Sequence, residues 1–142
     1  MIILRVARMY KLQRVGSTIE QTIRNAVSSL TRSGKMIRKG KFLWLAGNVN
    51  LQVRRSANGN GARPIQYVPP EEVEEAALLV LRLTRGVSKD ELLPEIARVL
   101  GYARTGDRVE RAALEATKRL VKSGRVIERS DFLIPLEREN RQ

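Results

Sequence analysis

The chain contains an internal repeat at a constant offset of ninety residues, and this repeat constrains its architecture more than any other feature. Residues 6–45 align with residues 96–135 without a gap. Twelve aligned positions are identical: Ala7/Ala97, Arg8/Arg98, Arg14/Arg104, Gly16/Gly106, Glu20/Glu110, Ala26/Ala116, Leu30/Leu120, Ser33/Ser123, Gly34/Gly124, Ile37/Ile127, Phe42/Phe132 and Leu43/Leu133. Because such repeats correspond to repeated structural units, the sequence predicts two related small domains.

The second copy reads as a complete unit of three helices and a hairpin. Apolar periodicity predicts helices over about 71–84, 89–100 and 107–123. A hairpin follows them, around Arg129 and Ser130. This order of elements is that of the winged helix-turn-helix, in which the third helix can enter the major groove.

The first copy is incomplete. Its pattern predicts a short amphipathic helix over 2–11, a helix over about 17–33, and a hairpin with strands 35–38 and 41–45. The first helix of the second copy has no counterpart, because residue 1 aligns with Glu91. Either the chain is a piece of a longer polypeptide, or another surface fills the place of that helix.

We therefore predict a mainly α fold with small β-hairpins, built as a tandem winged helix-turn-helix whose first copy lacks its first helix. The predicted division is an incomplete unit over 1–46, a flexible linker over 47–68, a complete unit over 69–136 and a tail over 137–142. A unit this small buries only about 60% of the surface that its unfolded chain exposes. Docking or a homodimer is therefore expected.

Composition removes most catalytic chemistry. The chain has no cysteine and no histidine, which excludes disulfides, thiolate or imidazole metal sites and a Cys or His base. The acidic residues show no convergent pair suited to acid-base or metal work. We expect no enzyme activity of the chain alone, no metal and no cofactor. The N-terminal apolar run is too short for a signal peptide or membrane span, so a cytoplasmic location without a membrane partner is expected.

The charge of +12 lies entirely in the first half of the chain. Residues 1–69 hold thirteen Lys or Arg against the single Glu20, whereas residues 70–142 hold fourteen basic and fourteen acidic residues. A concentrated positive field favours a polyanionic partner. DNA or RNA is therefore the expected partner of the first half.

The first hairpin, KMIRKGKFLW, is the predicted phosphate-binding site. It carries Lys35, Arg38, Lys39 and Lys41 and no acid, whereas the second hairpin has Glu128 and Asp131 at the positions of Arg38 and Lys41. The alternative is an edge hairpin that lysines protect from aggregation. Trp44 could stack on a base, but its alignment with Ile134 favours packing within the hairpin.

Further predicted contacts lie on either side of this hairpin. Gln and Asn can read adenine edges, although they also occupy ordinary solvated helix faces. Arginines that follow the hairpin, Arg63 among them, add positive charge. The predicted additional contacts are Arg14, Gln21, Asn25, Arg32, Arg54 and Arg55.

The helix over 71–84 carries apolar residues on two sides. Its predicted core stripe is Val73, Ala76, Ala77, Val80 and Leu83. Leu78 and Leu79 extend the apolar surface to the side where a solvated helix would be polar. They are either an interface or two tolerated surface leucines.

Two stretches carry a family resemblance: RPIQYVPPEEVEEA and LLPEIARVLGYARTGDRVERAALEATKRLVKSGRVIERSDFLIP. They resemble a domain of unknown function at the C-terminal end of large bacterial superfamily I DNA/RNA helicases. The first unit resembles the stretch just before it. The resemblance implies an accessory module beside helicase and often nuclease-like domains, and it implies no catalytic residue.

The expected function is non-catalytic binding of DNA or RNA, in association with a helicase or nuclease system. The alternative is a winged-helix module for protein interaction or dimerisation, without nucleic-acid contact. A stand-alone transcription regulator is a third possibility, and it would need a dimer and a palindromic site.

Overall fold

The computed structural model describes residues 2–47, 51–54 and 63–136. Helices account for 56% of these residues, and the strands form two small antiparallel sheets. The prediction of a largely helical chain with small hairpins is therefore confirmed. The chain divides into two compact units, Met1–Asn50 and Leu51–Gln142. No helix in the described ranges is both long enough and apolar enough to cross a membrane.

The first unit contains two helices and one hairpin. Its elements are α1 (Ile2–Met9), α2 (Ser17–Arg32), β1 (Met36–Lys39) and β2 (Phe42–Leu45). Lys39 pairs with Phe42, so the hairpin loop is Gly40 and Lys41, one residue later than predicted. Gly40 has φ +56°, a conformation that glycine adopts without the Cβ penalty. This glycine fixes the position of the turn.

The second unit contains three α-helices, a short 3-10 helix and three strands. In chain order they are the 3-10 helix (Ile65–Tyr67), α3 (Pro70–Thr84), β3 (Val87–Ser88), α4 (Lys89–Val99), α5 (Asp107–Lys122), β4 (Val126–Arg129) and β5 (Phe132–Pro135). The sheet order is β3-β5-β4, all antiparallel. β3 was not predicted, because two residues carry no detectable alternation and the strand exists only through its pairing with β5.

The internal repeat is also a repeat of local backbone structure. α2, β1 and β2 begin and end ninety residues before α5, β4 and β5. Gly34 and Gly124, which follow the long helices, have φ +71° and +70°. The Lys35 N–H donates to the Leu30 carbonyl as that of Arg125 does to Leu120, both at 3.0 Å. The two units therefore share one backbone design from the long helix to the end of the hairpin.

The core of the second unit lies between α3, α4, α5 and the sheet. Its fully buried large side chains include Leu78, Leu81, Leu92, Ile96, Leu120 and Leu133. The predicted interface role of Leu78 was wrong, because this side chain is 2% exposed within the unit's own core. α3 contacts α4, α5 and β5, so it buries a wider arc than the predicted stripe. Leu79 stays 39% exposed, and Leu83, predicted to be in the core, is 76% exposed.

Part of the predicted linker belongs to the second unit. Val53 and Ile65 pack against its core, and Val68 is buried within it. Residues 48–50 and 55–62 of the predicted linker, and the predicted tail over 137–142, lie outside the described residues.

Candidate nucleic-acid interface

The hairpin of the first unit presents its four basic side chains to solvent. Lys35, Arg38, Lys39 and Lys41 are all exposed. Among the described residues, none of the four forms an ion pair. Their positive charges are therefore available to an anionic ligand.

The rest of the first unit does not compensate for these charges. Residues 1–50 contain ten Lys or Arg and one Glu, a net charge of +9. The one acid, Glu20, is paired with Arg24 one helical turn later, at 2.5 Å. The pair is exposed on α2, where an ion pair contributes little stability. Four of the ten cations of the unit therefore lie within residues 35–41 of the hairpin, with no acid among them.

Two of the hairpin cations lie over aromatic rings. The Lys39 ammonium is 5.5 Å from the ring centroid of Trp44, and the Lys41 ammonium is 5.6 Å from that of Phe42. Such contacts contribute about 0.5–1 kcal/mol at exposed sites, and they hold the ammonium groups close to the hairpin. Lys39 over the half-buried Trp44 agrees with the predicted packing role of this ring in the hairpin. The Trp44 Nε1 atom is buried and has no hydrogen-bond partner among the described residues.

The hairpin of the second unit differs in charge on the same backbone. Glu128, at the position of Arg38, accepts a hydrogen bond from the Lys89 ammonium at 2.8 Å. This hydrogen bond raises the pKa of Lys89. Asp131, at the position of Lys41, adds a second negative charge to the loop. Arg129 is exposed and is the counterpart of Lys39.

The outward face of α2 carries the predicted base-reading residues. Gln21, Asn25 and Arg32 are exposed on it, and Arg14 is exposed in the connection that precedes it. The Gln21 side-chain amide donates to the Asn25 side-chain carbonyl at 2.9 Å. The two amides thus lie together one turn apart, and the Asn25 NH₂ group and the Gln21 carbonyl retain capacity for further hydrogen bonds.

Arg54, a predicted nucleic-acid contact, forms an ion pair with Glu72 within the second unit. Arg54 lies in the second unit, where its guanidinium and its backbone N–H donate to Glu72 at 2.9 Å each. Arg63 donates to the same carboxylate at 2.5 Å. Both arginines therefore bind one buried carboxylate, which neutralises one of their two positive charges, and the nucleic-acid contact of Arg54 stays a prediction. Arg55 lies outside the described residues.

The Glu72 carboxylate is the centre of a buried polar cluster. Its side chain is 0% exposed. Burial alone would raise the pKa of Glu72, but the donors from Arg54 and Arg63 outweigh burial and lower it. The Tyr102 hydroxyl donates to the Arg63 carbonyl at 2.5 Å, and burial raises the pKa of this tyrosine.

The position of Glu72 in the helical period was the sequence signal that could have revealed this cluster. Glu72 lies four and eight residues before Ala76 and Val80, so it shares their inward face. Glu74 and Glu75 also have tertiary roles, because they pair with Arg119 at 2.6 Å and with Arg125 at 2.7 Å.

Nothing in the described ranges suggests a metal centre, since no cluster of three or more acidic side chains could hold an ion. Comparison of the chain with protein-family models, curated proteins and solved structures finds no match. The resemblance to a helicase-associated domain therefore stays a prediction.

Proposed function

We propose that the chain is a non-catalytic nucleic-acid-binding module of two winged helix-turn-helix units, the first incomplete, and that it contacts phosphates through its first hairpin. The observation that supports this proposal best is the difference in charge between the two hairpins. In the first unit the shared hairpin backbone carries four exposed cations that form no ion pair with any described residue. In the second unit it carries Asp131 and Glu128, which pairs with Lys89. The resemblance to the helicase-associated domain supports a place beside helicase or nuclease domains.

The element order of the second unit supports the winged-helix part of this proposal. Helix, short strand, two helices and a hairpin follow one another, and β3 pairs with the last strand of the sheet. In such a unit the third helix reads the groove, and that helix corresponds to α5 and to α2. The proposed base contacts of the first unit are therefore those of Gln21 and Asn25, whose amides suit adenine edges.

A salt titration of binding tests the phosphate contacts. The full chain is titrated into a fluorescein-labelled DNA duplex of mixed sequence, and into the matching RNA, with anisotropy as the readout. If the four hairpin cations contact phosphates, the log–log salt slope includes about −3.6, which corresponds to a loss of roughly 100-fold in affinity between about 50 and 200 mM salt. The two titrations also compare DNA with RNA.

The repeat supplies a matched control for each hairpin substitution. Lys39→Glu and Arg129→Glu make the same charge reversal at equivalent positions of the two hairpins. Lys39→Glu should weaken binding and reduce the magnitude of the salt slope by about 0.9. Arg129→Glu should leave both quantities close to those of the unchanged chain. Equal effects of the two variants would show that overall charge, and not the first hairpin, drives binding.

A protein-interaction module is the second candidate function. The observation that favours it is the exposure of large apolar side chains on the first unit, with Leu4 56%, Met9 81% and Tyr10 74% exposed. This candidate predicts no measurable affinity for either nucleic acid at about 50 mM salt, where phosphate contacts are strong. The same titration therefore separates the two functions.

A further inference from the structure

The first unit keeps an apolar surface that the second unit buries. The repeat permits a comparison of exposure at equivalent positions, each side chain within its own unit. The three clearest pairs, with the second-unit residue first, are Leu92 (0%) and Ile2 (36%), Leu100 (4%) and Tyr10 (74%), and Leu120 (0%) and Leu30 (39%). Among the described residues of the first unit, only Ala7 is buried. The side chains that form the core of one copy are thus open in the other.

The second unit shows which elements cover this surface. α3 packs against α4, α5 and β5, and β3 pairs with β5 through Val87 and Ser88. Both elements belong to one continuous segment, residues 70–88. The described part of the first unit has no counterpart of either element, and its sheet consists of β1 and β2. Phe42 and Leu43 are equivalent to the β5 residues that pair with β3. They lie on β2, whose second edge pairs with no strand among the described residues.

An available strand edge and an exposed apolar surface, at the positions that one segment covers in the second unit, form a docking geometry. Unpaired backbone groups on an edge strand accept an added strand, and an amphipathic helix fits an apolar groove. In the second unit the two contacts are made by a helix and a strand separated by two residues, Arg85 and Gly86. One short polypeptide segment is therefore sufficient to provide both contacts.

The charges around this surface specify the segment further. In the second unit, Glu75 of α3 pairs with Arg125, whose counterpart in the first unit is Lys35. Glu128 pairs with Lys89 directly after β3, and the counterpart of Glu128 is Arg38. A complementary segment would therefore carry acids near the start of its helix and after its strand.

The turn between helix and strand is also specified. Gly86 has φ +113°, and a Cβ at this position would lie 3.1 Å from the backbone oxygen of Leu133. A side chain here would be strained and would press on the partner strand. The docked segment therefore requires glycine at the corresponding turn.

We propose that the first unit binds a partner polypeptide segment of this kind: an acidic amphipathic helix, a glycine turn and a two-residue strand. The helix covers α1 and α2, and the strand adds to β2. A second copy of the chain suits the surface less well, because two units of net charge +9 repel each other. The segment from the second unit is the closest mimic of this partner that the chain itself offers.

The test uses a labelled synthetic peptide with the sequence of residues 69–90 in which Lys89→Glu supplies the acid after the strand, PPEEVEEAALLVLRLTRGVSED. Its binding to the full chain is followed by fluorescence anisotropy. We expect saturable binding that is weakened at least tenfold by Leu30→Glu in the chain. Ser28→Glu is the matched control, since it places the same charge on the exposed polar face of the same helix and should leave binding unchanged. A peptide with Gly86→Ala should also bind at least tenfold more weakly.

Two further readouts keep the proposal open to refutation. Peptide binding should slow amide hydrogen exchange in β2, and this measurement decides the question should Leu30→Glu unfold the first unit. Absence of saturable binding would overturn the proposal, as would equal binding by the two chain variants or unchanged exchange in β2. The proposal would also be overturned if the chain sediments as a dimer and Leu30→Glu makes it a monomer, because a second copy of the chain would then cover the apolar surface. Loss of nucleic-acid binding in Lys39→Glu bears only on the hairpin and leaves this proposal unaffected.

Discussion

Replacing Glu72 by glutamine should destabilise the second unit substantially. Glutamine keeps the volume of the side chain but removes the charge that binds Arg54 and Arg63. Arg63 is 20% exposed, and a hydrogen bond of this kind to a charged group contributes about 1.5–3 kcal/mol. Arg54 is 56% exposed, so solvent screening limits its pair with Glu72 to about 0–1 kcal/mol. We therefore expect a loss of about 2–3 kcal/mol in the free energy of unfolding.

Urea denaturation followed by circular dichroism at 222 nm measures this loss. Thermal denaturation should show a fall in Tm of roughly 10–20 °C, given the usual 4–8 °C per kcal/mol for a domain of this size. Glu71→Gln is the matched control, because Glu71 lies in the same helix turn, is half-buried and has no ion pair within the described ranges. It should stay within about 0.5 kcal/mol of the unchanged chain.

The pH dependence of stability provides the refuting measurement. The pKa of Glu72 is lowered on folding from its ordinary value of 4.5. The charged carboxylate therefore stabilises the fold above pH 4.5, and this contribution is lost as pH falls through the lower folded-state pKa. The difference between the unchanged chain and Glu72→Gln should shrink in that acid range. Equal stability at pH 7, or a difference that persists in acid, would refute the assigned role of Glu72.

Two further pairs of substitutions test the packing of α3 by urea denaturation. Gly86→Ala should lower the free energy of unfolding by about 3 kcal/mol, through backbone strain and the contact of its Cβ with β5. Gly101→Ala, at a position with positive φ but open space around it, should lower it by about 1–2 kcal/mol. Equal losses would show that the contact with β5 contributes nothing. Leu78→Ala should cost about 2–5 kcal/mol as a core truncation, and Leu79→Ala at an exposed position should stay within about 0.5 kcal/mol. A larger cost for Leu79→Ala would restore the predicted interface at this helix face.

The repeat made most of the local structure predictable from sequence. Helix periods, terminal glycines and hairpin residues occur twice, and each copy supported the interpretation of the other. The hairpin loops were still misplaced by one residue. Gly40 and Ser130 both have positive φ and occupy the first loop position. The sequence pattern predicts the residue before each of them at that position.

Tertiary pairing accounts for the features that the sequence did not reveal. Arg54 and Glu72 lie eighteen residues apart, and local charge counting treated them as independent. The burial of Leu78 depends on how many elements surround α3, which helical periodicity does not specify. β3 depends on a partner strand more than forty residues later in the chain. The exposed hairpin cations were predictable because their arrangement depends on a single local turn.

Because the first unit has a small buried core, its stability should depend strongly on whether a ligand is bound to it. A unit that buries one described residue, Ala7, gains a large share of its folding free energy from any ligand that binds only its folded form. A ligand at 100 times its Kd adds about 2.7 kcal/mol. Trp44 is the only tryptophan of the chain and lies in this unit. Its fluorescence during denaturation should therefore rank nucleic acids and peptides by their affinity without any label.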